Sequence, residues 1–206
     1  MAVSKEPHRL ILFTDAVVAI AVTLLVLPLV DIVPEVAKEH GEAIEVITKH
    51  QPEVWTFLLS FVVIIRFWLA HHRAYQHVRA YSTPLILCNA GWLLAIVVLP
   101  FPTEVVGVFQ SDRFTTGFYI GTIFAVSALQ TAMTLIIRAD AAVASEENPP
   151  TPELAISSAT ATVLLAAALV VALALPAISY WALFLLLLSA PVEQVLRRRQ
   201  RVAAEA

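Results

Sequence analysis

The feature that most constrains this chain is a series of six long apolar stretches, which cover most of its 206 residues. They are Leu10–Val30, Val54–Ala70, Leu85–Val106, Thr115–Ile137, Leu154–Leu175 and Ile178–Leu196. A helix needs about 20 apolar residues to cross a bilayer, and no stretch alternates like the strand of a membrane barrel. A helix also closes its backbone hydrogen bonds within one segment. The sequence therefore predicts an all-α polytopic membrane protein with six transmembrane helices in a single domain, residues 1–206.

The composition agrees with this prediction and excludes other classes of protein. Hydrophobic residues make up 59% of the chain and charged residues 14%, and the mean hydropathy is +0.81. A soluble domain is about 25% charged, and a disordered chain is more polar still. No nucleophile–base set, phosphate loop or redox motif is present. We therefore predict no enzyme activity, no cofactor and no nucleic-acid partner; the lipid bilayer is the expected surrounding.

The basic residues predict the orientation of the helices. Nine of the thirteen lie on one predicted side, three lie on the other, and Arg66 lies within a span. Lysine and arginine accumulate on the cytoplasmic side of membrane proteins. We therefore expect a multi-pass protein of the cell membrane with both termini in the cytoplasm. The acidic segment 139–152 fits this arrangement less well. The acidic loop Asp31–Pro52, on the outside, could contain a short helix or concentrate cations.

The first span contains both an acid and an apolar stripe. At about 100° per residue, Ile20, Leu24 and Leu27 lie within about 60° of one another, with Thr23 at the edge of this stripe. Asp15 lies about 140° away on the same helix. An acid within a span usually faces protein or water and finds a partner. An apolar stripe, by contrast, normally packs against lipid or other helices.

Three segments of the first half resemble one known family. The segment Arg9-x-x-x-Phe13-Thr14-Asp15 resembles the Arg-x-x-x-Phe-Ser-Asp signature of the endosomal and lysosomal potassium channel family called transmembrane protein 175. The segments Trp68–Arg73 and Asn89–Thr103 are also similar to that family, including its prokaryotic relatives. The chain departs from the signature at Thr14, where serine is usual. Because threonine keeps the hydroxyl, the resemblance stands.

The resemblance implies a potassium-selective, leak-type channel that assembles as a homotetramer, with the first helix of each subunit lining a central pore. Ile20 would form the narrowest ring, Leu24 and Leu27 would form further apolar rings, and Thr23 would place a hydroxyl beside the constriction. Such rings can act as a hydrophobic gate by dewetting. The permeating ion would be potassium. In agreement, the chain lacks the Thr-Val-Gly-Tyr-Gly loop of the usual potassium channels.

The remaining polar residues of the first three spans are expected to support the fold. We predict a structural network that comprises Arg9, Thr14, Asp15, Trp68, His71 and Asn89. The adjacent histidines 71 and 72 diverge on a helix, and no carboxylate or cysteine lies near them, so we predict no metal site. Arg66 either pairs within the bundle or extends toward the membrane surface.

Other functions remain open from the sequence alone. The main alternative is a secondary transporter or proton-coupled cation exchanger in which Asp15 and Arg9 relay charge. Transporters often contain broken helices, whereas the first span is expected to continue unbroken to Pro28. A membrane enzyme or assembly factor is favoured only by His71 and His72.

Overall fold

The computed structural model describes residues 2–4, 7–109 and 112–174, and these are mostly helical. The helices are α1 (Pro7–Leu24), α2 (Leu27–Lys38), α3 (Glu45–Thr48), α4 (Gln51–Tyr75), α5 (Thr83–Val98), α6 (Pro100–Val108), α7 (Arg113–Ala139) and α8 (Pro152–Ala174). Two short strands, β1 (Ala2–Ser4) and β2 (Tyr81–Ser82), form an antiparallel pair. The fold is therefore helical with one small addition that the sequence did not predict.

Five segments are long and apolar enough to cross a membrane. They are His8–Lys38, Gln51–Tyr75, Thr83–Val108, Arg113–Ala139 and Pro152–Ala174. Each contains or largely overlaps one of the first five predicted spans. The sixth predicted span, Ile178–Leu196, and the arginines at 197–201 lie outside the residues that the structure describes.

The first span is broken, contrary to the prediction that it continues to Pro28. Helix α1 ends at Leu24, a turn covers residues 25–26, and α2 begins at Leu27. Pro28 explains the position of this break, because proline lacks an N–H and its ring clashes with the carbonyl four residues earlier, here Leu24. The predicted external loop also differs. Helix α2 occupies its first part, where Ile32 and Val36 are buried as in the short amphipathic helix considered from the sequence.

Helix α7 packs against most of the other long helices. It contacts α8, α5, α6 and α4, and its buried residues recur along the whole helix. Its first turn is capped by Asp112, whose carboxylate accepts hydrogen bonds from the backbone N–H groups of Phe114 and Thr115 at 3.0 and 3.1 Å. Helix α1 lies on the other side of the bundle, against α4 and α5. The first span is therefore a peripheral element of the single chain.

Three segments that were predicted on the same side of the membrane meet at one end of the bundle. Strand β1 pairs with β2, and Val78 forms a β-bridge with Ala144. Arg79 forms an ion pair with Glu146 and donates a hydrogen bond to a backbone carbonyl of the 139–152 segment. This pair partly neutralises the acidic segment that fitted the orientation less well. We call this end, formed by β1, residues 76–82 and residues 140–151, the inner end.

Candidate pore-lining helix

One face of the first span is exposed in the single chain. The exposed fractions are 60% for Ile20, 39% for Leu24 and 51% for Leu27. Thr23 is also exposed, and its hydroxyl donates a hydrogen bond to the Ile20 carbonyl at 2.8 Å. The hydroxyl hydrogen is thus occupied, while the oxygen still has a lone pair that faces outward. These four residues form the exposed stripe, and they are the residues that the sequence predicted for the constriction.

The opposite face of α1 packs inside the bundle. Thr14, Val18, Ala21 and Leu25 have exposed fractions of 0%, 3%, 1% and 2%, and they are spaced four, three and four residues apart. This spacing follows one face of a helix. The first span therefore has a buried face, which these residues form, and an exposed stripe on a separate face.

A buried polar network holds the inner half of α1 against α4 and α5. The Asn89 amide nitrogen donates a hydrogen bond to the Thr14 hydroxyl oxygen at 3.1 Å, and the Asn89 amide oxygen lies 2.8 Å from Nε2 of His71. Since an amide oxygen only accepts, this bond requires the proton of His71 to be on Nε2. The imidazole also stacks on the rings of Tyr75 and Trp92, with centroid distances of 4.1 and 4.6 Å.

Asp15 has its own partner on α4. The indole Nε1 of Trp68 donates a hydrogen bond to the Asp15 carboxylate at 2.7 Å, and Asp15 is half-buried. Arg9 is different, because it is exposed and has no hydrogen bond or ion pair with any other residue in the described part of the chain. The structure therefore brings together Thr14, Asp15, Trp68, His71 and Asn89 and leaves Arg9 outside this group.

A second polar cluster, which the sequence analysis missed, joins the middle of the bundle. The Ser60 hydroxyl lies 2.8 Å from both the Thr103 hydroxyl and the Tyr119 hydroxyl, and all three side chains are buried. The cluster connects α4, α6 and α7. The available signal was Ser60 itself, a small polar residue within an apolar stretch, which needs a hydrogen-bond partner when it is buried.

Acidic residues surround the α2 end of the broken span. Asp31, Glu35, Glu53 and Glu104 line a cavity of about 320 Å³ next to Pro28 and Leu29. His50 lies at the same cavity, with its Nδ1 atom 3.6 Å from the Glu53 carboxylate. Among the described residues, no three potential ligands are grouped as a metal site would require. The cavity lies against Leu25 of the buried face, and we call it the acidic mouth.

Comparison with known proteins agrees with the resemblance stated above. The model of the family "Endosomal/lysosomal potassium channel TMEM175" matches residues 9–100, which include both the exposed stripe and the polar network. A potassium channel of Streptomyces collinus is 30% identical over 53% of this chain and 52% of its own length. The endosomal/lysosomal proton channel TMEM175 of Danio rerio is 20% identical over 64% of this chain and 25% of its own. This chain thus spans about half of the bacterial relative and a quarter of the vertebrate one.

A solved structure shares the fold. The crystal structure of a lysosomal potassium-selective channel TMEM175 homolog from Chamaesiphon minutus matches with a TM-score of 0.65 at 23% identity, covering 98% of this chain and 100% of that chain. The family is one of ion channels and not of enzymes, in agreement with the prediction from the sequence. Residues 9–100 of this chain are thus similar to the endosomal/lysosomal potassium channel TMEM175 family.

Proposed function

We propose that this protein is a potassium-selective, leak-type channel of the cell membrane, formed by four copies of the chain around a central pore. The exposed stripe of the first span carries the proposal. In this arrangement Ile20 forms the narrowest ring, Leu24 and Leu27 form apolar rings on the outer side, and Thr23 adds a hydroxyl oxygen between them. Both termini face the cytoplasm.

Two features of the chain support an inward orientation of the exposed stripe. The buried polar network fixes the opposite face of α1 to α4 and α5, so the stripe can only face lipid or other subunits. The outer end of the same span carries the acidic mouth, with Asp31 and Glu35 on α2. A negative mouth raises the local concentration of cations.

The proposed pore selects ions by the cost of removing water. An apolar ring offers no oxygen atom to replace the hydration shell, so an ion crosses with most of its water or not at all. Potassium holds its water less tightly than sodium, and a narrow apolar ring therefore favours potassium. The same ring closes by dewetting when it narrows. The Thr23 oxygen is the nearest side-chain group that could replace a water ligand.

Substitution at Ile20 tests the proposal. Ile20→Asn introduces a polar amide into each of the four copies of the ring, so the potassium current should rise and the preference over sodium should fall. The measurement is the reversal potential under bi-ionic potassium and sodium after reconstitution. Val18→Ala is the matched control, because Val18 lies on the buried face and its substitution should leave the reversal potential unchanged. An Ile20→Asn protein with unaltered current and reversal potential would remove Ile20 from the pore.

A secondary transporter is the second candidate, and the break at residues 25–26 favours it. Transporter sites often lie where a helix is interrupted, with backbone groups directed at the substrate. Here the Val26 N–H donates to the Thr23 carbonyl at 3.4 Å, and the Leu29 N–H donates to the Val26 carbonyl at 3.1 Å. The Thr23 carbonyl and both backbone polar groups of Val26 are thus already paired. Potassium flux that dissipates a gradient without a coupled ion supports the channel; flux that requires a second gradient supports the transporter.

A further inference from the structure

A cavity between α4, α7 and α8 contains a charged group that the proposed pore does not use. The cavity measures about 320 Å³, and its polar lining includes Arg66, Arg73, Gln130, Ser158 and Glu153. It lies on a different face of the bundle from the exposed stripe of the first span. Both of its cationic side chains come from α4, and the amide of Gln130 and the hydroxyl of Ser158 come from α7 and α8. Three helices therefore form the cavity.

Arg66 lies within the candidate span Gln51–Tyr75, nine residues before its inner end. A charge within a span is costly unless a partner or water solvates it. In the part of the chain that the structure describes, however, Arg66 forms no ion pair or hydrogen bond, and its side chain lines the cavity instead. Arg66 is exposed, so its guanidinium is available to an anionic ligand that enters the cavity.

The two arginines are spaced to hold a ligand between them. Arg73 follows Arg66 by seven positions, so the two residues lie on the same side of α4, about 10 Å apart along its axis. Guanidinium groups bind phosphate oxygens in a bidentate manner. The two arginines and Glu153 together carry a net charge of +1, which matches a phosphodiester with one negative charge better than a phosphate dianion.

Gln130 indicates what else the ligand carries. This residue is 4% exposed, and its amide oxygen is buried without a hydrogen-bond partner among the described residues. A buried acceptor without a donor is unfavourable, and the carbonyl oxygen can be satisfied only by a donor. A hydroxyl group on the ligand would supply this donor.

The cavity has both polar residues near the inner end and apolar residues deeper in the bundle. Arg73, Thr151 and Glu153 lie close to that end, whereas Val63 and Leu165 line the wall deeper in the bundle. A lipid has the same order of groups, with its charged headgroup at the membrane surface and its acyl chains in the interior. Basic pockets between membrane helices are a recognised type of headgroup site.

We propose that this cavity binds the headgroup of an anionic phospholipid that has a phosphodiester and a hydroxyl group, as phosphatidylglycerol does. Arg66 and Arg73 bind the phosphodiester oxygens, and the Gln130 amide oxygen accepts a hydrogen bond from the headgroup hydroxyl. The acyl chains lie along the wall formed by Val63 and Leu165. The proposal does not depend on ion permeation.

Native mass spectrometry of the delipidated, full-length protein tests the charge requirement. Phosphatidylglycerol should bind at one copy per subunit and at least tenfold more tightly than phosphatidylcholine. Arg66→Gln should lower the affinity for phosphatidylglycerol at least tenfold, and Arg66→Lys should restore part of that affinity. Arg138→Gln is the matched control, because Arg138 is an exposed arginine of α7 outside the cavity. Equal losses in Arg66→Gln and Arg138→Gln would overturn the proposal, as would no loss in Arg66→Gln.

Two further measurements define the ligand. Phosphatidylethanol has the same phosphodiester charge without the hydroxyl, so wild-type protein should bind it more weakly than phosphatidylglycerol, and Gln130→Met should abolish this difference. Equal binding of both lipids by the wild type would overturn the role of Gln130. Millimolar inorganic phosphate should not displace phosphatidylglycerol. Displacement would assign the site to a soluble anion and would overturn the lipid assignment.

Discussion

The buried face and the exposed stripe belong to the same span and have mostly apolar side chains, yet their surroundings differ completely. Val18 and Ala21 are almost inaccessible, whereas Ile20 is 60% exposed. Hydrophobicity does not distinguish the faces, because lipid and protein interior are equally apolar. The difference comes from Thr14 and Asp15, whose hydrogen bonds to α5 and α4 determine which side of α1 turns inward.

The comparison teaches that a small number of polar contacts can orient a membrane helix. If the buried network sets the orientation, its removal should destabilise the protein, and substitutions on the exposed stripe should alter permeation without loss of stability. The following predictions test this separation, beginning with the largest expected effect.

Asn89→Leu should have the largest effect, because Asn89 joins Thr14 on α1 to His71 on α4. The substitution keeps the branching at Cγ, adds volume and removes both hydrogen bonds. Each buried partner that is left unsatisfied costs about 1–3 kcal/mol. We therefore expect a large decrease in the melting temperature of the purified protein and in the yield of assembled oligomer, measured by fluorescence-detected size-exclusion chromatography. Leu87→Ala, at an exposed position of the same helix, is the control. An unchanged melting temperature for Asn89→Leu would contradict the role of the network.

Asp15→Ala should have the next largest effect, since it removes the acceptor of the Trp68 indole. A hydrogen bond to a charged group contributes about 1.5–3 kcal/mol. The yield of assembled protein should fall, while the potassium-to-sodium ratio of the remaining protein should change little. Trp68→Phe should reproduce the loss, and the double variant should add little to it. If Asp15→Ala assembled normally but changed the ion preference, the carboxylate would belong to the permeation path.

The polar network shows how much of the candidate site could be predicted from the sequence. Five of its six predicted members lie together in the structure, because polar residues in spans seek one another and the resemblance placed these residues near each other. Arg9 could not be assigned in this way, since an exposed residue near a helix end has no buried partner to constrain it. The expected constriction residues also share one exposed face, as their helical spacing requires.

Other features depended on tertiary context. The first five spans followed from hydropathy, but the break before Leu27 required the steric effect of Pro28 on the preceding turn. The Ser60 cluster was missed because its partners, Thr103 and Tyr119, are 43 and 59 residues away and no local pattern links them. For Arg66, pairing and extension toward the surface were equally compatible with the sequence. Only the placement of α7 and α8 showed the cavity.

Alanine substitutions on the two faces of the first span should have effects of intermediate size, one on stability and the other on permeation. Val18→Ala removes packing from the buried face and should lower the free energy of unfolding by about 1 kcal/mol without altering the reversal potential. Leu24→Ala on the exposed stripe should leave the melting temperature nearly unchanged and increase single-channel conductance. Measuring both stability and conductance for both variants therefore distinguishes the buried face from the exposed stripe. Altered conductance in Val18→Ala with normal conductance in Leu24→Ala would reverse the assignment of the faces.

Thr23→Val should have the smallest effect, because Thr23 stands at the edge of the exposed stripe and its hydroxyl hydrogen is already bonded to the Ile20 carbonyl. Valine has almost the same shape as threonine, so the ring keeps its width and loses only one oxygen per subunit. If this oxygen replaces a water ligand only weakly, the barrier rises by less than about 0.4 kcal/mol and the potassium conductance falls less than about twofold. Thr23→Ser keeps the oxygen and should match the wild type. A tenfold loss in Thr23→Val, with normal conductance in Thr23→Ser, would instead make the hydroxyl oxygen, and not the Ile20 ring, the principal determinant of permeation.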